Sequence, residues 1–87
     1  MSDESLLQFP CDFPIKVMGA GDPGFRDWVV ERMRRHAPDL DATRVQVRDS
    51  RAGRYQSVTV TICARDRAQL DAIYLDLSAH PHIKMVL

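Results

Sequence analysis

The 87 residues carry 12 basic and 12 acidic side chains, for a formal net charge of zero, and 45% of the chain is apolar. This is the composition of one small globular domain, so neither a disordered chain, a second domain nor a large enclosed catalytic cavity is expected. Zero net charge also argues against nucleic acid as a partner, because phosphate binders usually show a basic excess.

Residues 1–5 are polar and expected to fray. The acidic start, Met1-Ser2-Asp3-Glu4, does not read as a signal sequence, so none is expected. No apolar run approaches the length of a membrane span, so a soluble cytoplasmic protein with no membrane partner is expected. Cys11 and Cys63 form no CxxC pair and read as two reduced thiols. Leu6, Leu7 and Phe9 supply an apolar clasp before Pro10. Phe13, Ile15 and Val17 then alternate with Asp12, Pro14 and Lys16, which predicts a half-buried strand over Asp12–Met18. Gly19-Ala20-Gly21 breaks it.

Asp22 followed by Pro23 predicts a helix start. The carboxylate would cap free N–H groups, and proline at the first position needs no donor. Phe25, Val29, Met33 and His36 share one helical face, with Trp28 on its flank. Arg34, Arg35 and His36 crowd the expected last turn, where cations suit the helix dipole, and Pro38 ends it.

Thr43–Ser50 reads as a second strand with Val45 and Val47 inward, and Ser50–Gly53 as a turn. Arg54–Ala64 is the clearest strand: Val58, Val60, Ile62 and Ala64 alternate with Ser57, Thr59, Thr61 and Cys63. Asp66 with Gln69 resembles a capping box and opens a helix that buries Leu70, Ile73, Tyr74 and Leu77. A smaller stripe, Ala68, Ala72, Leu75 and Ala79, lies on its other side, and Asp71 and Asp76 read as solvent-facing. His80-Pro81 ends the helix, and His82–Leu87 forms a last strand.

The order β-α-β-β-α-β, with short right-handed connections, gives a ferredoxin-like α/β (α+β) sandwich over the single domain 1–87. Four antiparallel strands in the order fourth, first, third, second would carry two helices on one face. That topology gathers Gly19, Ala20, Gly21 and Asp22 beside His80 and His82. The N–H groups of a glycine-opened helix start attract anions, so this cluster is the candidate ligand site for a small anionic metabolite. The helix-free sheet face would present Lys16, Met18, Gln46, Arg48, Tyr55, Ser57, Thr59, Thr61, Lys84 and Val86. Lys16, Met18, Arg48, Tyr55, Ser57, Thr59 and Lys84 are its candidate interface residues, and they suit a protein partner. Exposed strand edges also leave homodimerisation open, by face or by edge pairing.

Other patterns carry less. Gly19-x-Gly21-x-x-Gly24 matches a dinucleotide fingerprint, but that fold needs adjacent parallel strands and far more chain. Gly53-Arg54-Tyr55-Gln56-Ser57-Val58 faintly resembles an RNA-recognition strand. Ser57, however, stands where a ring should be, and the first strand offers Lys16. His36, His80, His82, Cys11 and Cys63 have no metal-ligand spacing, and His36 reads as a hydrogen-bonded inner histidine. No nucleophile stands beside an identifiable base, so neither an enzyme nor a cofactor is expected.

Four blocks of the chain carry a family resemblance. They are Leu6-Leu7-x-Phe9-Pro10-x-x-Phe13-x-x-Lys16-Val17-Met18-Gly19, Arg35-His36-Ala37-Pro38, Gly53-x-Tyr55-x-Ser57-Val58-Thr59-Val60-Thr61-Ile62 and Ile83-Lys84-Met85-Val86-Leu87. Together they resemble the YbeD family of small bacterial proteins over nearly the whole chain. The resemblance implies a ferredoxin-like fold similar in shape to the ACT regulatory domain, with no established biochemical activity. Genes of that family often neighbour lipoate-attachment genes, which implies a link to lipoate metabolism. The expected function is a non-enzymatic regulatory or interaction module, with an RNA-binding module or small enzyme on the same scaffold as the alternative.

Overall fold

The computed structural model describes residues 8–87. The expected fraying of residues 1–5 and the Leu6 and Leu7 part of the clasp lie outside them, whereas Phe9 packs against the core. The elements are β1 (Cys11–Ala20), α1 (Phe25–Arg34), a short 3-10 turn (Ala42–Arg44), β2 (Val45–Asp49), β3 (Tyr55–Ala64), α2 (Arg67–Ser78) and β4 (Ile83–Val86). The sheet runs β2-β3-β1-β4 with every neighbouring pair antiparallel. This is the expected ferredoxin-like α+β arrangement.

Alternation sets the register. Val58, Val60, Ile62 and Ala64 of β3 lie on one face with Ile15 and Val17 of β1, and all six are buried. Against them pack Phe25, Val29, Val30 and Met33 of α1 and Leu70, Ile73 and Leu77 of α2. Each helix thus buries one stripe while the other side of the sheet stays uncovered. Ala68, Ala72, Leu75 and Ala79 remain exposed on α2.

The two helices start differently. At α2 the Asp66 carboxylate accepts from the Gln69 N–H at 2.8 Å. The Gln69 side chain accepts from the Arg65 N–H at 2.7 Å rather than from Asp66, and donates to the His36 carbonyl at 2.9 Å. One buried amide therefore closes the start of α2 and ties it to the chain leaving α1. At α1 the expected cap is corrected: Gly24 is the N-cap, with no side-chain bond. Asp22 through Phe25 form a turn instead, in which the Asp22 carbonyl accepts from the Phe25 N–H at 3.1 Å. The regular helix ends at Arg34, with Arg35 as its cap and His36 beyond it. Turn bonds carry the chain on to Leu40, which is buried.

Two edge positions differ from the expected pattern. Val47 keeps the helix-side face, opposite Val58, yet is 43% exposed, because the helices pack chiefly over β1, β3 and β4 and leave the β2 edge uncovered. In β4 the register shifts between Met18 and Gly19, so that Met85 faces Met18 and Val86 faces Val17. Val86 therefore packs against the core, and Met85 takes the open-face position expected of Val86.

Candidate interaction surface

The open face is built in rows across the strands. In one row Leu87, Lys16, Thr59 and Gln46 lie side by side, and the Lys16–Leu87 pair is closed by backbone bonds of 3.0 and 2.8 Å. The next row is Met85, Met18, Ser57 and Arg48, and Tyr55 stands opposite Ala20 beyond it. Apolar groups gather towards β4, where Leu87 is 58% and Met85 50% exposed, while Tyr55 at the end of β3 is 46% exposed. Lys16 and Arg48 lie towards the polar side, and neither takes part in a salt bridge among the described residues. A shallow groove of about 590 Å³ is lined by Lys16, Gln46, Val47, Arg48, Ser57 and Thr59. A smaller one of about 190 Å³ reaches Met18 and Tyr55. Six of the seven expected interface residues thus share one surface, and Lys84 is the extra residue at the β4 bulge.

The loop candidate is placed differently. The 80–82 connection does lie beside Gly19, as the topology required. A Cβ on Gly19 would stand 2.6 Å from the Phe25 ring and 2.9 Å from the His82 carbonyl, so this glycine serves close packing. A Cβ on Gly21 would meet the Gly53 carbonyl at 2.6 Å. The Gly21 N–H donates to the Arg54 carbonyl at 3.1 Å and the Asp22 N–H to the Ala20 carbonyl at 2.8 Å. The N–H groups of Gly21 and Asp22, two of the loop's donors, are therefore engaged within the chain. His80 and His82 meet each other and the face of α1, with ring centroids 4.9 and 4.4 Å from Trp28 and near-perpendicular planes.

Between the helices stands a cluster the sequence reading missed. Asp76, expected to face solvent, has a side chain only 17% exposed. Arg32 Nε donates to both of its oxygens at 3.0 Å, and Nη2 donates to Oδ1 at 2.8 Å. His36 Nε2 lies 2.7 Å from Oδ2, and His80 Nε2 lies 3.5 Å from Oδ1. The Arg32 guanidinium holds the Asp76 carboxyl well below the usual carboxylate range, against the opposing effect of burial, and His36 pulls the same way. A carboxylate so fully engaged locks α1 to α2 and is not poised to take a proton. The sequence did carry a signal: Arg32 and His36 are four apart across the end of α1, and Asp76 and His80 are four apart across the end of α2. No group of three or more His, Cys, Asp or Glu among the described residues is placed to hold a metal ion.

Residues 4–87 match a family described as proteins of unknown function, DUF493. The chain belongs to this family. Its relatives include the UPF0250 protein of Nitrosomonas europaea, 48% identical over 87 residues and the full length of both chains. The UPF0250 protein of Paraburkholderia phymatum is 51% identical over 85 residues, 98% of this chain and 96% of the relative. That of Pseudomonas paraeruginosa is 55% identical over 82 residues, 93% and 88% of the two chains. This is the YbeD-type family of bacterial proteins that the sequence blocks resembled. Within this DUF493 chain no described helix is long and apolar enough to cross a membrane.

Proposed function

We propose that the chain is a non-enzymatic regulatory or interaction module, ACT-like in shape, that engages a protein partner through its open sheet face. The observation that carries this reading is one surface on which Leu87, Met85, Met18 and Tyr55 stand beside Lys16 and Arg48 with no helix covering them. Methionine, tyrosine and arginine are enriched in protein interfaces. Tyr55 offers a lone ring to that face, which favours a protein over stacked RNA bases. The resemblance to the YbeD proteins directs the first partners to test to the proteins of lipoate attachment, with lipoate or octanoate as effectors. The experiment is quantitative capture of the tagged protein from bacterial extract, against Met18→Glu/Tyr55→Ser on the open face and Leu75→Glu on α2. A partner lost with the first variant and kept with the second supports the reading. The reverse pattern, or equal retention by both variants, refutes it.

A further inference from the structure

We infer that β2 is an acceptor edge that takes an extended acidic segment of a partner protein as a fifth strand beside Val45–Asp49; this rests on the interaction-module reading above and names the partner's chemistry. The hydrogen-bond pattern comes first. The Ser50 N–H donates to the Tyr55 carbonyl at 2.9 Å, which makes Ser50 and Tyr55 a bonded pair. Antiparallel pairs alternate, so Arg48 with Ser57 and Gln46 with Thr59 are the next bonded pairs. The Ser57 hydroxyl donating to the Arg48 carbonyl at 3.4 Å agrees, since that carbonyl faces β3. The N–H and C=O groups of Val45, Val47 and Asp49 therefore point away from the sheet. None of the turn and loop bonds among the described residues uses them.

The two edges of the sheet are not alike. β4 carries a bulge, an extra lysine and only four residues, features that discourage strand addition. β2 has five residues in unbroken register, with no proline, and Val47 is open to solvent beside a groove of about 590 Å³. An added strand would extend the ladder and cover Val47.

Charge selects the occupant. Arg48 is exposed and unpaired among the described residues, and the Arg44 guanidinium forms an ion pair with the exposed Asp12 at 3.1 Å. A second copy docking antiparallel on the same edge would bring arginines together. Centred on Gln46 it would set Arg44 opposite Arg48, and centred on Arg48 it would oppose that residue to itself. Centred on Val47 it would leave the two Arg48 side chains diagonal neighbours on one face. Like charges so placed destabilise a sheet. An acidic strand reverses the sign: carboxylates at alternate positions would meet Arg48 and Arg44, while apolar residues between them cover Val45 and Val47. Main-chain bonds give such a complex its affinity and the alternating side chains its specificity.

The test uses three synthetic peptides of alternating valine: one with glutamate, one with lysine, and the glutamate peptide N-methylated at alternate amides. Each is titrated into the isotope-labelled full chain and followed by backbone amide NMR. The glutamate peptide is expected to shift amides 45–49, Ser57 and Thr59, and to bind more weakly as salt rises. The lysine and N-methylated peptides are expected to bind roughly tenfold more weakly or worse. Val47→Pro removes only an outward N–H, a place where edge strands tolerate proline, and should cost a similar factor. Arg48→Glu should reverse the preference towards lysine, and it decides the matter along with the N-methylated peptide if Val47→Pro fails to fold. Equal binding of the acidic and basic peptides, undiminished binding of the N-methylated one, shifts elsewhere, or no shift at millimolar peptide would each overturn the inference. So would concentration-dependent sedimentation of the protein alone with shifts at 45–49, in favour of a second copy. If Met18→Glu/Tyr55→Ser still abolishes capture in any of those cases, the open-face reading stands and only the edge inference falls.

Discussion

Replacing Asp76 by alanine removes the acceptor of three Arg32 bonds and of the His36 contact in one step. Charge-assisted bonds of this kind are worth more than exposed pairs, yet the Arg32 side chain is 26% exposed and can turn to water once released. The loss is therefore expected at about 2 kcal/mol rather than at the 3–5 kcal/mol typical of a fully buried pair broken on one side. For a domain of this size that lowers the midpoint of thermal unfolding by roughly 8–16 °C. The pH dependence has a definite sign. The folded carboxyl titrates below its unfolded value, so its contribution is complete above about pH 4 and is lost as pH falls towards the folded value. The gap between wild type and Asp76→Ala should accordingly be about 1 kcal/mol smaller at pH 3 than at pH 7. Urea unfolding at both pH values, read by the single tryptophan, Trp28, and by far-UV circular dichroism, measures this. A variant as stable as wild type at pH 7, or a gap that persists or widens at pH 3, would refute the reasoning.

Three further outcomes are expected. Val60→Ala, at a position with no solvent exposure, should cost about 1–3 kcal/mol in urea unfolding through lost burial and a residual cavity. Gly19→Ala drives a methyl group into the Phe25 ring and the His82 carbonyl, and should cost about 1–3 kcal/mol, with NMR shift changes spreading to His82 and Trp28. Asp12→Ala, which breaks the exposed pair with Arg44, should leave the thermal midpoint unchanged within error, a control that separates exposed from enclosed ion pairs.

Where one element dictates its own pattern, the fold was legible in the sequence. The alternation of β3 gave its register, because a one-residue slip would put Thr59 and Thr61 in the core. Asp66 and Gln69 announced α2, since capping is settled within four residues. Asp22 misled for a related reason: Asp-Pro suits a turn as well as a cap, and here the turn leaves Gly24 as the helix boundary. What needs two elements at once was hidden. Asp76 looks solvent-facing on α2 until α1 brings Arg32 and His36 to it. The β4 bulge exchanges the roles of Met85 and Val86, and no pattern in four residues reveals it. The open face was legible because β1 and β3 fix its centre, whereas the Gly21 N–H, engaged by the Arg54 carbonyl, depends on the neighbouring hairpin.

The central claim, that the open sheet face is the working surface, is tested most directly by photo-crosslinking in living bacteria. A benzophenone amino acid would replace Tyr55 on the open face or, in a parallel strain, Leu75 on α2, both exposed positions. Discrete protein adducts from the Tyr55 position and none from the Leu75 position are the expected result. Adducts from Leu75 alone, or none from Tyr55 under conditions in which the protein is abundant and folded, would contradict the account.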